Sequence, residues 1–230
     1  MKLKSTVAVI TLVTALPAYS GDWSGFSLGV AGGQSSGNLS ILEVFTDLGD
    51  TTEFDNNAVA LQGMVGGLTA GASMDTGQYV LGVEGDFLFT SNVNGFQEIT
   101  AAPGELDYLN EVTVNGKNSF SIRARGGVKA GDNALIYVSG GYEWNTVEAE
   151  WYGVDQDATD TFTNTYQGMT FGGGFETMTA GGWVFGVEYR QTSFDSLMNT
   201  SENNTIDGAP VDVESEMQTH TVLATIKKFF

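Results

Sequence analysis

The chain of 230 residues reads as an all-β protein: an eight-stranded antiparallel up-and-down barrel that crosses a membrane with its strands. Three observations carry that reading. Eight segments alternate apolar and polar residues with period 2, the connections between them are by turns short and long, and ionisable side chains share the face opposite the aromatic one.

The alternation can be followed strand by strand. The first strand, 23–31, puts Phe26, Leu28 and Val30 on one face. The second, 58–70, is interrupted by Gly63, Gly66 and Gly67. The third, 78–90, sets Tyr79, Leu81, Val83, Phe87 and Phe89 against Glu84 and Asp86. In the fourth, 120–129, Phe120, Ile122, Ala124 and Val128 alternate with Arg123 and Arg125. The fifth, 134–144, sets Ile136, Val138, Tyr142 and Trp144 against Tyr137, Ser139 and Glu143. The sixth, 167–178, opposes Met169, Phe171 and Phe175 to Thr170 and Glu176. The seventh, 183–194, opposes Trp183, Phe185, Val187 and Tyr189 to Glu188 and Arg190. The eighth ends the chain with Val222, Ala224, Ile226 and Phe230 on one parity.

Turn chemistry sets the topology. Asp75–Thr76–Gly77, Gly131–Asp132–Asn133 and Gly181–Gly182 are tight turn signals between strands two and three, four and five, and six and seven. The other four connections are each about 20 residues or more, longer than a compact soluble domain tolerates. Acid gathers in them, for example at Glu43, Asp47, Asp50, Glu105, Asp107, Asp155, Asp207 and Asp212, and Lys117 is their only basic residue. An even number of strands with both ends on the short-turn side closes without a free edge.

Residues 1–20 read as a cleaved signal peptide. Lys2 and Lys4 precede the apolar stretch Val7–Leu16, and Ala18 and Ser20 place cleavage before Gly21. No segment approaches the ~18 consecutive apolar residues of a membrane-spanning helix, so 21–230 is expected to be one barrel domain. The formal charge of −19 becomes −21 without Lys2 and Lys4, and the absence of a basic patch excludes a nucleic-acid partner. With no Cys, disulfide scaffolds and thiolate chemistry are also excluded.

Carboxylates facing hydrocarbon would be costly, so the charged face belongs to the lumen. Eight strands leave an interior that side chains fill. Counted from the turns, Glu84 pairs with Arg125 and Asp86 with Arg123, while Glu176, Glu188 and Arg190 sit at comparable depth. These seven residues are expected to form an ion network, read either as a structural plug or as the gate of a narrow pore.

Several segments resemble the small outer-membrane barrels of Gram-negative bacteria known as porin-family, OmpA-like or outer-membrane immunogenic proteins. They are residues 22–30 (DWSGFSLGV), 80–87 (VLGVEGDF), 121–128 (SIRARGGV), 137–142 (YVSGGY), 170–176 (TFGGGFE) and 187–190 (VEYR). The resemblance covers all eight strands but not the loops, and Lys228 stands on the membrane-facing parity where the family usually has an aromatic. It implies an outer-membrane location, with lipid and lipopolysaccharide as surroundings. The terminal Phe230 looks like the signal read by the barrel-assembly machinery.

Chemistry beyond the lumen is sparse. His220 is the only histidine, so a convergent zinc site cannot be built, and although one histidine suffices for a Ser–His–acid triad, no Ser stands in a recognisable nucleophile context. Asp155, Asp157 and Asp160 superficially resemble a calcium loop but lack the Gly and Glu that complete one, leaving weak, non-selective divalent binding. No cofactor is expected. Trp23, Trp144, Trp183 and Tyr189 read as interface anchors. The functional readings are a non-enzymatic envelope barrel, a narrow pore gated by the lumen charges, and a lipid A-modifying enzyme centred on His220.

Overall fold

A computed structural model describes residues 21–47, 50–53, 57–91, 94–99, 110–153, 158–206 and 209–230. Residues 1–20, read from the sequence as a signal peptide, and the proposed cation ligands Asp155 and Asp157 lie outside the described residues, as does the side chain of Asp160. The strands are β1 (Gly25–Asp47), β2 (Asp50–Glu53), β3 (Asn57–Asp75), β4 (Tyr79–Ser91), β5 (Asn94–Ile99), β6 (Asn110–Lys129), β7 (Ala134–Gly153), β8 (Ala158–Met178), β9 (Trp183–Phe194), β10 (Leu197–Ile206) and β11 (Ala209–Phe229).

Eight of these form the wall. Antiparallel ladders run β1–β3–β4–β6–β7–β8–β9–β11, and β11 pairs back with β1 from Ser27↔Phe229 to Val44↔Asp212. The sheet therefore closes and every wall strand has two neighbours, which satisfies its backbone groups without help from solvent. Strands β2, β5 and β10 pair with β1, β6 and β11 beyond the wall.

At the short-turn end, Gly77, Gly131 and Gly182 adopt φ values of +99°, +83° and +72°. These are left-handed conformations that a side chain disfavours, so glycine at each lets the strands reverse in a few residues. At the other end the ladders extend well past the segments marked by alternation. The long connections expected from the sequence are instead mostly hairpin extensions: β6 begins at Asn110 rather than 120, and β7 runs to Gly153 rather than 144. A strand needs only about 9–11 residues to cross the bilayer. Beyond that height the outer face meets water instead of lipid and loses its apolar residues, while inward residues such as Val114 and Val147 stay apolar and buried and the hydrogen-bonded ladder continues.

The two faces are inverted relative to a water-soluble protein. Val138 is 68% exposed on the outside, whereas Arg123 is 1% exposed within. Large apolar residues on the outer wall, Phe26, Leu68, Val83, Ile122, Phe171 and Val187 among them, form a continuous band that only lipid can cover.

The lumen is packed in layers. Near the short turns, Trp23, Val80, Leu135, Tyr137, Met178 and Val184 form an apolar floor, with Phe229 against it. Farther up, Leu39, Val59, Leu61, Val114, Val147, Tyr166, Phe194 and Met217 form an apolar ceiling. Trp23 corrects an expectation: it is fully buried in the floor, edge-on to Phe229 with ring centroids 6.0 Å apart, and is not an interface anchor. Residues 21–24 precede the first strand, so strand parity does not govern the direction of Trp23. Trp183 and Tyr189 do face outward.

Candidate functional site

Between floor and ceiling lies a slab of ionised side chains. The β4–β6 register places Glu84 opposite Arg123, Gly82 opposite Arg125 and Asp86 opposite Ser121. This is offset by two residues from the pairing counted from the turns. The long side chains bridge the offset diagonally: Arg125 Nη1 lies 2.6 Å from Glu84 Oε2, and Arg123 Nη2 lies 3.4 Å from Asp86 Oδ2. Arg123 also reaches Glu84 Oε1 at 3.1 Å and donates across the lumen to Glu188.

The remaining members close the network. Arg190 Nη2 lies 2.6 Å from Asp86 and 3.3 Å from Glu188, while Arg125 Nη2 lies 2.7 Å from Glu176. All seven residues named from the sequence thus occupy one cluster. An eighth, Lys227 on β11, was missed. Its Nζ lies 2.6 Å from Glu84 and 2.5 Å from Glu176, and the residue is 1% exposed. Its signal was available in the parity of the eighth strand, because Lys227 falls on the face opposite Val222, Ala224 and Ile226. The cluster then holds Glu84, Asp86, Glu176 and Glu188 against Arg123, Arg125, Arg190 and Lys227, and is neutral.

Neutral groups brace these charges. Arg123 Nε donates to Ser121 Oγ at 3.1 Å, and Ser121 Oγ donates to Asp86. Ser139 Oγ donates to Glu188 Oε1 at 3.2 Å. The Arg125 guanidinium carbon sits 3.7 Å from the centre of the Tyr137 ring, a cation–π contact shielded from water. Sequence reasoning placed Ser139 and Tyr137 on the correct face but gave them no role, since small hydroxyls and a tyrosine are common lumen filling. The cluster can fix the barrel's cross-section and block the lumen with largely desolvated ion pairs. The cavities left beside it are small, about 20 Å³ at the floor and about 30 Å³ below the ceiling, each with room for a water molecule or two.

A family model described as "Outer membrane protein beta-barrel domain" matches residues 5–222. The chain belongs to that family. It is a Gram-negative outer-membrane β-barrel whose short turns face the periplasm and whose hairpin extensions face outward. The outer membrane protein OprG from Pseudomonas aeruginosa is similar in fold, at 13% identity and a TM-score of 0.59, over 92% of this chain and 99% of that one. The outer membrane protease OmpT from Escherichia coli is similar at 10% identity and a TM-score of 0.52, over 90% of this chain and 97% of that one. At such identities the likeness shows the fold alone. No curated protein sequence matches this chain.

The other candidate residues of this outer-membrane barrel lie apart from the slab. His220 Nδ1 and Tyr189 Oη are 2.8 Å apart on neighbouring strands β11 and β9, with their rings stacked. Phe230 is 73% exposed, and its backbone N–H donates to Phe26 O at 2.9 Å, one of the last hydrogen bonds closing the wall. Lys228 lies at the periplasmic end beside Trp183 and donates to the Gly181 carbonyl. An ammonium on a lipid-facing parity thereby reaches a polar partner at the interface. Among the described residues, no group of three His, Cys, Asp or Glu side chains could hold a metal ion.

Proposed function

We propose that this protein is a non-enzymatic outer-membrane barrel, sealed along its axis, which contributes to envelope integrity and displays acidic loops at the cell surface. The observation that carries the reading is the neutral eight-residue ion cluster, closed below by the Trp23 floor and above by the Met217 ceiling. A conducting pore would need a continuous polar path, whereas here the charges satisfy one another and the layers on either side are apolar. The placement of His220 also weighs against catalysis: its hydrogen-bond partner is a tyrosine, and no carboxylate or serine completes a triad with it among the described residues. Phe230 serves as the signal for the barrel-assembly machinery, and lipid, lipopolysaccharide and weakly bound divalent cations are the partners at the surface.

The test is conductance of the purified, refolded protein in planar bilayers, together with lipid A mass analysis after overexpression. No discrete openings and unchanged lipid A are expected. Sustained ohmic conductance would favour a gated pore instead, and modified lipid A would favour the enzyme. A deletion strain should show increased sensitivity to detergents and bile-type surfactants.

A further inference from the structure

Glu143 on β7 is a fifth lumen carboxylate, and the neutral cluster has no charge left for it. It is 7% exposed and, among the described residues, forms no ion pair. Among the described residues its hydrogen-bond donor is the Thr192 hydroxyl, at 2.9 Å from Oε2. Among the described residues, and apart from the Asp75–Lys129 pair at the periplasmic rim, the lumen therefore carries five carboxylates against four cationic groups, within a wall surrounded by hydrocarbon. A single uncompensated charge there is strongly unfavourable.

Glu143 borders the cavity of about 30 Å³ below the ceiling, whose other polar lining is rich in oxygen: Ser119 and Asn145, with Thr219 and Thr221 from β11. Among the described residues, Asn145 Oδ1 is buried with no hydrogen-bond partner, and so is Nε of Arg190, a residue only 4% exposed that lines the same cavity. An orphaned acceptor, an orphaned donor and an excess negative charge meet at one small space. Buried polar groups normally have partners, so the three together call for an occupant.

We propose that this chamber binds one small alkali cation, Na⁺ or an ion of its size, against the Glu143 carboxylate. The cation supplies the missing positive charge and takes Asn145 Oδ1 and hydroxyl oxygens as neutral ligands. The volume admits about two water-sized occupants, so one water can accompany the ion. That water accepts from Arg190 Nε, which accounts for the donor as well as the acceptor. A divalent ion does not fit this charge count, because it would leave the lumen with net positive charge.

The experiment compares unfolding midpoints of the full mature barrel, refolded in micelles, in NaCl and in N-methyl-D-glucamine chloride at equal ionic strength. Na⁺ is expected to raise the wild-type midpoint saturably, as a ligand of the folded state does. Glu143→Gln should fold and lose the Na⁺ dependence. Asn145→Ala, which keeps the carboxylate, should retain it but need several-fold more Na⁺ for half the effect. An equal Na⁺ response in wild type and Glu143→Gln would mean a general salt effect and overturn the site. A wild-type barrel indifferent to Na⁺ would overturn it too, with the carboxyl compensated by its own proton.

Discussion

Lys227 Nζ and Glu84 Oε2 meet at 2.6 Å across the lumen, joining β11 and β4, which are not neighbours in the wall. Backbone ladders hold each strand only to the next. Contacts of this kind are what fix the shape of the barrel's cross-section.

Replacing Lys227 with Met should cost ~3 kcal/mol or more, because Glu84 and Glu176 each lose a buried counter-charge. The adjacent Lys228→Met should change stability by less than about 1 kcal/mol, since its ammonium is at the interface. Urea unfolding in micelles separates the two, and equal losses would contradict the inward placement of Lys227.

Arg123 touches three carboxylates and its side chain is fully buried, whereas that of Arg125 touches two and is 13% exposed. Arg123→Ala should therefore destabilise more than Arg125→Ala, with the larger loss on the order of 3–5 kcal/mol. A reversed order would show that water reaches Arg123.

Much of this fold was legible because the membrane enforces it. Where the wall meets lipid, every second residue must be apolar, so Val83, Ile122 and Val187 announced their faces and their neighbours Glu84, Arg123 and Glu188 followed. The same physics explains the failures. Above the bilayer the outer face is no longer required to be apolar, so the extensions of β6 and β7 keep only inward residues such as Val114 and Val147 apolar and lose the outward signal that marks a strand in lipid. Trp23 precedes the first ladder, so no periodicity governed it. Lys227 was hidden by Lys228 beside it, since one lysine at the interface and one in the lumen look alike until parity is applied to each. Glu143 was placed on the lumen face, but the charge surplus emerged only when the partners of every other lumen charge were known.

Adjacent glycines offer a test of the two faces. A Cβ on Gly33 would collide with the backbone of Val222 and Leu223, whereas one on Gly32 would meet only Val65 O, at 4.0 Å. Gly33→Ala should cost about 1–3 kcal/mol through strain. Gly32→Ala should be neutral or stabilising by up to ~1 kcal/mol, because it removes unfolded-state freedom. Thermal or urea unfolding of the two variants checks the contrast.

At the periplasmic rim, Asp75 bonds Lys129 Nζ at 2.6 Å and accepts from the Gly77 N–H at 2.8 Å. Partial burial pulls its carboxyl upward. The bonds from Lys129, Gly77 and Trp23 outweigh that and hold it below the ordinary 3.8. A depressed carboxyl stabilises the fold above its unfolded value and loses that contribution as pH falls through its folded value. Asp75→Asn should accordingly cost ~0.5–1 kcal/mol at pH 7 for a part-exposed pair, and the gap to wild type should narrow towards pH 3. A gap that widened in acid would reverse the assigned direction.

Phe230 stands at the seam where the barrel closes. Its N–H bonds Phe26 O, Phe229 pairs with Ser27, and the Phe230 side chain projects into the lipid-facing band. Removing it deletes one seam hydrogen bond, worth about 1 kcal/mol, and one exposed aromatic, so the finished barrel should lose little equilibrium stability. Insertion in cells is a different quantity, because the proposed assembly signal at the terminal aromatic would act before the seam exists. The deletion is expected to lower folded yield in the outer membrane several-fold, read by heat-modifiable gel mobility, while the same variant refolded in micelles unfolds within ~1–2 kcal/mol of wild type. Equal losses in both settings would make Phe230 a structural residue of the seam; unchanged yield in cells would remove its role as an assembly signal.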